Sequence, residues 1–134
     1  MFSLTVCDHI MIAHSFRGAE FGPAQRLHGA TYAVEVELRS AALDPLQLLV
    51  DIGLAKTELR RVLDTVDYRN LDELPALAGT NTTTEYMAFH LHNLLAAACR
   101  EGRLGDGGRK LTSLKVLLRE SPTAWAAYES TIEL

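Results

Sequence analysis

Residues 27–38 read Leu27-His28-Gly29-Ala30-Thr31-Tyr32-Ala33-Val34-Glu35-Val36-Glu37-Leu38, and their alternation decides the class of the fold. Ala30, Tyr32, Val34, Val36 and Leu38 share one face of an extended chain, while Thr31, Glu35, Glu37 and Arg39 share the other. Period-two alternation with one apolar side marks a half-buried strand. Its polar side faces water or a polar neighbour. The same pattern runs through residues 2–14, where Phe2, Leu4, Val6, Ile10 and Ile12 form the apolar row, His14 closes it and Asp8 interrupts it.

Further along the chain the period changes. From Asp51 to Val66, the residues Ile52, Ala55, Leu59, Val62, Leu63 and Val66 recur at helical spacing. Asp51 and Lys56 are assigned to the entering turn and the exposed helix face. A second helix opens at "TTTEYMAF". Thr82 as N-cap with Glu85 three residues on predicts a capping box, which stabilises a helix start by about 1 kcal/mol. The predicted buried stripe is Met87, Leu91, Leu94, Leu95 and Ala98, and Gly102 is the predicted stop.

After the polar loop "EGRLGDGGRK" a third strand carries Leu114, Val116 and Leu118 on one face together with Glu120, and Ser121-Pro122 ends the pairing. Residues 123–130 form a fourth strand with Trp125 and Tyr128 as its large side chains. The order ββααββ predicts an α+β fold: an antiparallel four-stranded sheet with two helices on one face, in a single domain spanning residues 1–134.

Composition narrows the function classes. The chain has 134 residues, is 48% hydrophobic and 22% charged, and carries a formal net charge of −4, the profile of a globular chain able to bury a core. No basic face is evident, which argues against nucleic acid or an anionic membrane surface as partner. Cys7 and Cys99 are too few for a disulfide framework and fit a reduced, cytoplasmic setting. The apolar start "MFSLTVCDHIMIAH" lacks a basic head and contains Asp8 and His9, so it reads as neither a signal peptide nor a spanning helix.

The segments "MIAHSF", "RLHGATYAVEVEL", "LLVDIGLAKTELRRVLDTVDYRNLD", "TTTEYMA" and "VLLRES" resemble, in order and spacing, the 6-pyruvoyltetrahydropterin synthase and 6-carboxytetrahydropterin synthase family. The resemblance implies the tunnelling fold (T-fold), in which three subunits close a twelve-stranded barrel, two rings stack into a hexamer (a dimer of trimers), and sites lie between subunits. It also implies a zinc ion on three histidines. His14 and His28 match two of them, and the third position is Ala30. On a strand, side chains two apart lie about 7 Å apart on one face and can converge on an ion, but Ala30 has no lone pair. Catalytic zinc takes three protein ligands plus water, so the expectation is an incomplete site without bound zinc.

The family's cysteine before the His-Gly-His triplet is missing from residues 22–27, where Ala24 stands. Its aspartate-histidine pair reads Asp67-Tyr68. Tyrosine, with a reference pKa near 10, does not replace a base poised near neutrality. Recognition positions are retained. Glu120 matches the glutamate that grips the amino-pyrimidinone edge of a pterin through two parallel N–H donors. Thr83, Thr84 and Glu85 match residues that help hold the ring, and the capping box is the structural explanation weighed against this for Glu85.

His14, Asp67 and Tyr68 are the only candidates for a catalytic role. His14 and His28 also read as hydrogen-bonded strand-end histidines, and Asp67 as a binder of loop backbone. His90 and His92 read as structural, and Cys7 as an improbable displaced nucleophile. Glu20 and Gln25 are left open as fillers of the vacated metal space. The expected function is binding of a pterin-like heterocycle without the family's zinc chemistry. The rivals are a zinc-free lyase or aldolase acting on a dihydropterin side chain, and a non-catalytic partner of an active paralogue.

Overall fold

The computed structural model describes residues 1–132, so the last two residues of the expected domain lie outside the described residues. Its main elements are β1 (Phe2–His14), β2 (His28–Ser40), α1 (Ile52–Leu63), β3 (Arg69–Asn70), α2 (Thr84–Arg100), β4 (Ser113–Ser121) and β5 (Ala124–Thr131). The four long strands and two helices follow the predicted order. One sheet element was not anticipated: β3 pairs in parallel with Ile12 and Ala13 of β1, making a five-stranded sheet of order β3-β1-β2-β4-β5. Two residues are too few to carry a readable alternation, which is why the sequence suggests four strands.

β1 and β2 pair antiparallel over their whole length, from Phe2 opposite Ser40 to His14 opposite His28. The apolar rows read from the sequence therefore lie side by side. Val6, Ile10, Tyr32, Val34, Val36, Leu38, Leu114, Val116 and Leu118 are all buried beneath the helices. From the helices, Leu59 and Leu63 of α1 and Met87, Leu91 and Leu95 of α2 close the core. Five predicted core members sit at its margin, Leu4 and Ala30 being partly buried on the strands. Phe2 and Ile52 are about half exposed because each begins its element, and Leu94 is half-buried at the edge of the α2 stripe.

The helix ends explain two further details. Asp51 caps α1, accepting from Leu54 N at 3.1 Å. α2 is capped by Thr83, whose hydroxyl accepts from Tyr86 N at 3.2 Å. The predicted box from Thr82 to Glu85 is therefore not formed and the cap lies one residue on: Thr82 is buried and turned to His14, so its hydroxyl is committed elsewhere. At the other end Gly102 stops the helix as expected. Its φ is +79°, and a Cβ there would stand 2.6 Å from the Arg109 guanidinium.

β4 and β5 are joined by a tight hairpin, with a bulge between Arg119 and Ser121 that leaves Glu120 without a cross-strand partner. A bulge re-aims a side chain, and this one sits where the strand reaches the start of α2. On the face away from the helices, Arg119 bonds Glu35 at 2.9 Å and lies 4.3 Å over the Trp125 ring. Trp125 is thus half exposed on that polar face, whereas Tyr128 packs beneath α2 against Phe89 and His92.

Candidate functional site

The pairing of β1 with β2 brings His14 and His28 face to face at the open end of the sheet, ring centroids 4.6 Å apart. Each ring is held at Nδ1. His28 Nδ1 lies 2.8 Å from Arg26 O, and since a carbonyl only accepts, Nδ1 carries a proton there. His14 Nδ1 lies 3.1 Å from Thr82 Oγ1. Burial, chiefly, and the nearby His28 hold the His14 pKa below its ordinary value. Phe16 packs 4.6 Å from His14, and Phe21 packs 4.9 Å from Phe16, so an aromatic cluster closes this end.

Across a cavity of about 650 Å³ stands the second half of the site. Thr84 Oγ1 donates to Glu120 Oε2 at 2.9 Å. Tyr32, almost wholly buried, lines the cavity with Thr84, and desolvation pushes its phenol pKa up, so it stays protonated. Glu120 is therefore aimed by a hydroxyl on the first turn of α2, backed by a phenol on β2. Glu85, freed from the expected capping box, lines the same cavity together with Thr83, Ser121 and Trp125.

The structure thus gathers His14, His28, Ala30, Thr83, Thr84, Glu85 and Glu120 around one cavity, and it leaves Asp67 and Tyr68 outside it. Asp67 accepts from Met11 N at 2.9 Å and from Arg60 Nη2 at 2.8 Å, bracing the outer edge of β1. Tyr68 is 80% exposed at that edge, with φ +57° and its N–H on Met11 O at 2.7 Å. Neither filler considered for the metal space enters it. Gln25 Nε2 donates to Gly22 O, and the Glu20 carboxylate folds over Gly18. Cys7 is exposed along β1 and away from the cavity. His92 is buried, bonding Ser130 Oγ at 3.0 Å, as a structural histidine does, while His90 is half-buried.

Sequence reasoning missed Tyr32, Phe16 and Phe21 as site residues. Tyr32 belongs to the apolar row of its strand. Its phenol was the available signal, because it is the one polar-tipped side chain in that row and buried phenols find partners.

A family model described as 6-pyruvoyl tetrahydropterin synthase matches residues 3–131, nearly the whole chain. The chain belongs to the 6-pyruvoyl tetrahydropterin synthase family. It is 27% identical over 131 residues to the Bacillus subtilis 6-carboxy-5,6,7,8-tetrahydropterin synthase, covering 95% of this chain and 84% of that protein. A Caenorhabditis elegans protein named for 6-pyruvoyl tetrahydrobiopterin synthase is 35% identical over 69 residues, a stretch spanning 51% of this chain and about half (49%) of that relative.

Among solved structures, C. elegans 6-pyruvoyl tetrahydropterin synthase superposes with a TM-score of 0.79 at 27% identity, covering 97% of this chain and 96% of that one. The Plasmodium vivax 6-pyruvoyl tetrahydropterin synthase superposes at 0.78 and 19% identity over 98% of both chains, a likeness of fold. The fold of the chain is accordingly the family's T-fold.

The zinc ion implied by the family can be tested against the donors present. Among the described residues His14 and His28 converge with each bonded at Nδ1 and neither Nε2 hydrogen-bonded, as ligating imidazoles require. No third histidine, cysteine or carboxylate among the described residues joins them in a group that could hold a metal. Two imidazoles fall short of the three protein ligands of catalytic zinc. Among the described residues no helix is long and apolar enough to cross a membrane.

Proposed function

We propose that this family member binds a pterin-like heterocycle through Glu120 and does not perform the zinc-dependent synthase reaction of its named relatives. The observation that carries the reading is the state of Glu120. It sits on a bulge with no cross-strand partner, is aimed across the cavity by Thr84, and offers its remaining lone pairs to the open space. A carboxylate so placed matches two parallel N–H donors on the edge of an amino-pyrimidinone. Supporting the loss of zinc chemistry, Ala30 occupies the third ligand position and aromatic rings pack about the two imidazoles.

The site belongs to an oligomer in this reading, a hexamer made of two trimeric rings. Its support is the pair of long free edges: β5 on one side of the sheet, and β1 up to Met11 on the other. Exposed edges of that length call for a partner. Closure of one copy's β1 against another's β5 carries Asp67 and Tyr68 toward a neighbour, so a zinc-free reaction using His14, Asp67 and Tyr68 is the second reading. The same edges admit an active paralogue in a mixed ring.

Isothermal titration of the wild type and Glu120→Ala with a panel of oxidised and dihydro pterins tests the main reading. We expect wild-type binding and a loss of about 100-fold in the variant, the scale of a bidentate charge-assisted pair. Equal affinity in the two proteins, or binding in neither, would refute it. Turnover of dihydroneopterin by metal-stripped protein would favour the second reading.

A further inference from the structure

We infer that Asn81 is a positioning residue of the cavity: its side-chain amide straps the loop of residues 15–27, and with it the Phe16 ring, to the segment that starts α2. The ligand named in the test rests on the heterocycle reading above, whereas the strap rests on geometry within one chain. Asn81 Oδ1 accepts from Arg17 N at 2.8 Å, and Asn81 Nδ2 donates to Arg17 O at 3.0 Å. A primary amide carries both a donor and an acceptor, so it can satisfy the N–H and the C=O of one residue as a neighbouring strand would. A partner copy can add groups to the cavity without altering these bonds.

A second anchor fixes which way the loop faces. Asp72 accepts the Ser15 N–H at 3.2 Å and the Ser15 hydroxyl at 2.6 Å. Ser15 and Arg17 line a small polar pocket with Asp72 and Gly79. Phe16, between these two anchored residues, lines the main cavity instead, its ring 4.6 Å from His14 and 4.9 Å from Phe21. The rest of the loop is closed on itself: Phe16 N donates to Ala24 O, Phe21 N to Gly18 O and Arg26 N to Pro23 O. Its turn over residues 19–25 buries no side chain. A segment with few buried contacts opens at low cost, so the anchors at its start decide where its rings stand.

The strap belongs to a run of four side chains that each serve the site. Asn81 holds the loop, Thr82 bonds His14, Thr83 caps α2 and Thr84 donates to Glu120. One short segment thus carries supports for both the carboxylate and the aromatic wall across the cavity. A ring seated on Glu120 extends its substituent toward that wall. Loss of the strap is therefore felt by the substituent more than by the ring.

The test is isothermal titration of the whole protein and of Asn81→Ala with 7,8-dihydropterin and with 7,8-dihydroneopterin, which adds a trihydroxypropyl chain to the same ring. The variant should bind dihydroneopterin about tenfold more weakly, the scale of one net hydrogen bond, and dihydropterin with less than about a threefold change. Asn81→Asp keeps the acceptor for Arg17 N and loses the donor to Arg17 O, so it should fall between the two, and it is the variant read if the alanine protein does not fold. Equal losses for the two compounds, or no loss for either, overturn the inference and leave the heterocycle reading standing. Trypsin supplies a readout without ligand, because Arg17 and Arg26 are exposed near the ends of the loop. Cleavage after Arg17 should be about tenfold faster in Asn81→Ala at a temperature where its circular dichroism matches the wild type, and equal rates overturn the strap. If neither compound binds the wild type, the heterocycle reading falls, and the trypsin comparison alone decides this inference.

Discussion

The two ends of the cavity are built from the same sheet but held in different ways. At the Glu120 end Thr84 is tied to Glu120 and Thr83 into the helix cap, with the Tyr32 phenol beside them and Glu85 lining the cavity. At the histidine end the two imidazoles are oriented through Nδ1 by Thr82 and Arg26, and Ala30 and the Phe16 ring stand beside them with no third donor grouped there among the described residues. The first end joins a carboxylate to a hydroxyl, and the second sets two imidazoles side by side. Orienting bonds of this kind also satisfy polar groups of the fold, which cost free energy when left unpaired.

The comparison is most exposed to a single substitution. Ala30→His supplies the missing donor on the strand face that His28 shares, between rings already turned for it. The expected outcome is a zinc-dependent rise in melting temperature that the wild type lacks. Zinc at about 1,000 times its Kd stabilises a folded chain by about 4 kcal/mol. A comparable zinc shift in the wild type would mean that two imidazoles recruit another ligand, and the contrast between the two ends would be lost.

Next in size is Glu120→Gln, which keeps the shape and replaces an acceptor oxygen by an amide donor. A donor facing the ligand's N–H groups should weaken pterin binding by about 2 kcal/mol, roughly 30-fold, with the melting temperature nearly unchanged. Calorimetry and thermal melts on the same preparations separate the two effects. A large fall in stability with unchanged affinity would show Glu120 to be a structural residue that merely braces Thr84.

The neighbouring threonines divide the labour at about the 1 kcal/mol level. Thr83→Ala removes the cap of α2 and should cost about 1 kcal/mol of stability with little change in affinity. Thr84→Val leaves the cap but removes the donor to Glu120, and should weaken binding by about fivefold. Matching profiles for the two variants would undo the assignment of one hydroxyl to the helix and the other to the ligand.

That division shows how far the sequence could be read. Alternation in residues 2–14 and 27–38 and helical spacing in residues 51–66 and 82–98 sufficed for the layers, since burial of an apolar row is decided locally. The two-residue β3 lacked any period, and Phe2 and Ile52 were placed inside because position within an element, which governs fraying, is not written in hydrophobicity. At the site, Thr82 and Thr83 compete for the cap with equal chemistry. Only the buried His14 ring, brought near by the fold, decides between them. Tyr32 was hidden for the same reason, because Thr84, with which it lines the cavity, comes from a helix about fifty residues away.

The smallest expected effect concerns the histidine end and pH. Burial lowers the pKa of His14, and likewise of His90 and His92, below the ordinary value of 6.5. Below about pH 6.5 the unfolded chain takes up protons that the folded chain resists, so stability rises with pH through that window and is lost as pH falls below it. The melting temperature should therefore be lower at pH 5.5 than at pH 7.5. His14→Gln retains a side chain able to bond Thr82 but cannot titrate, and it should flatten the acid loss by its own share while His90 and His92 keep theirs. An unaltered slope in that variant would place the acid sensitivity beneath α2, with the two surviving imidazoles at the cavity contributing none of it. The histidine end would then be a passive wall, and the contrast with the Glu120 end would be one of packing alone.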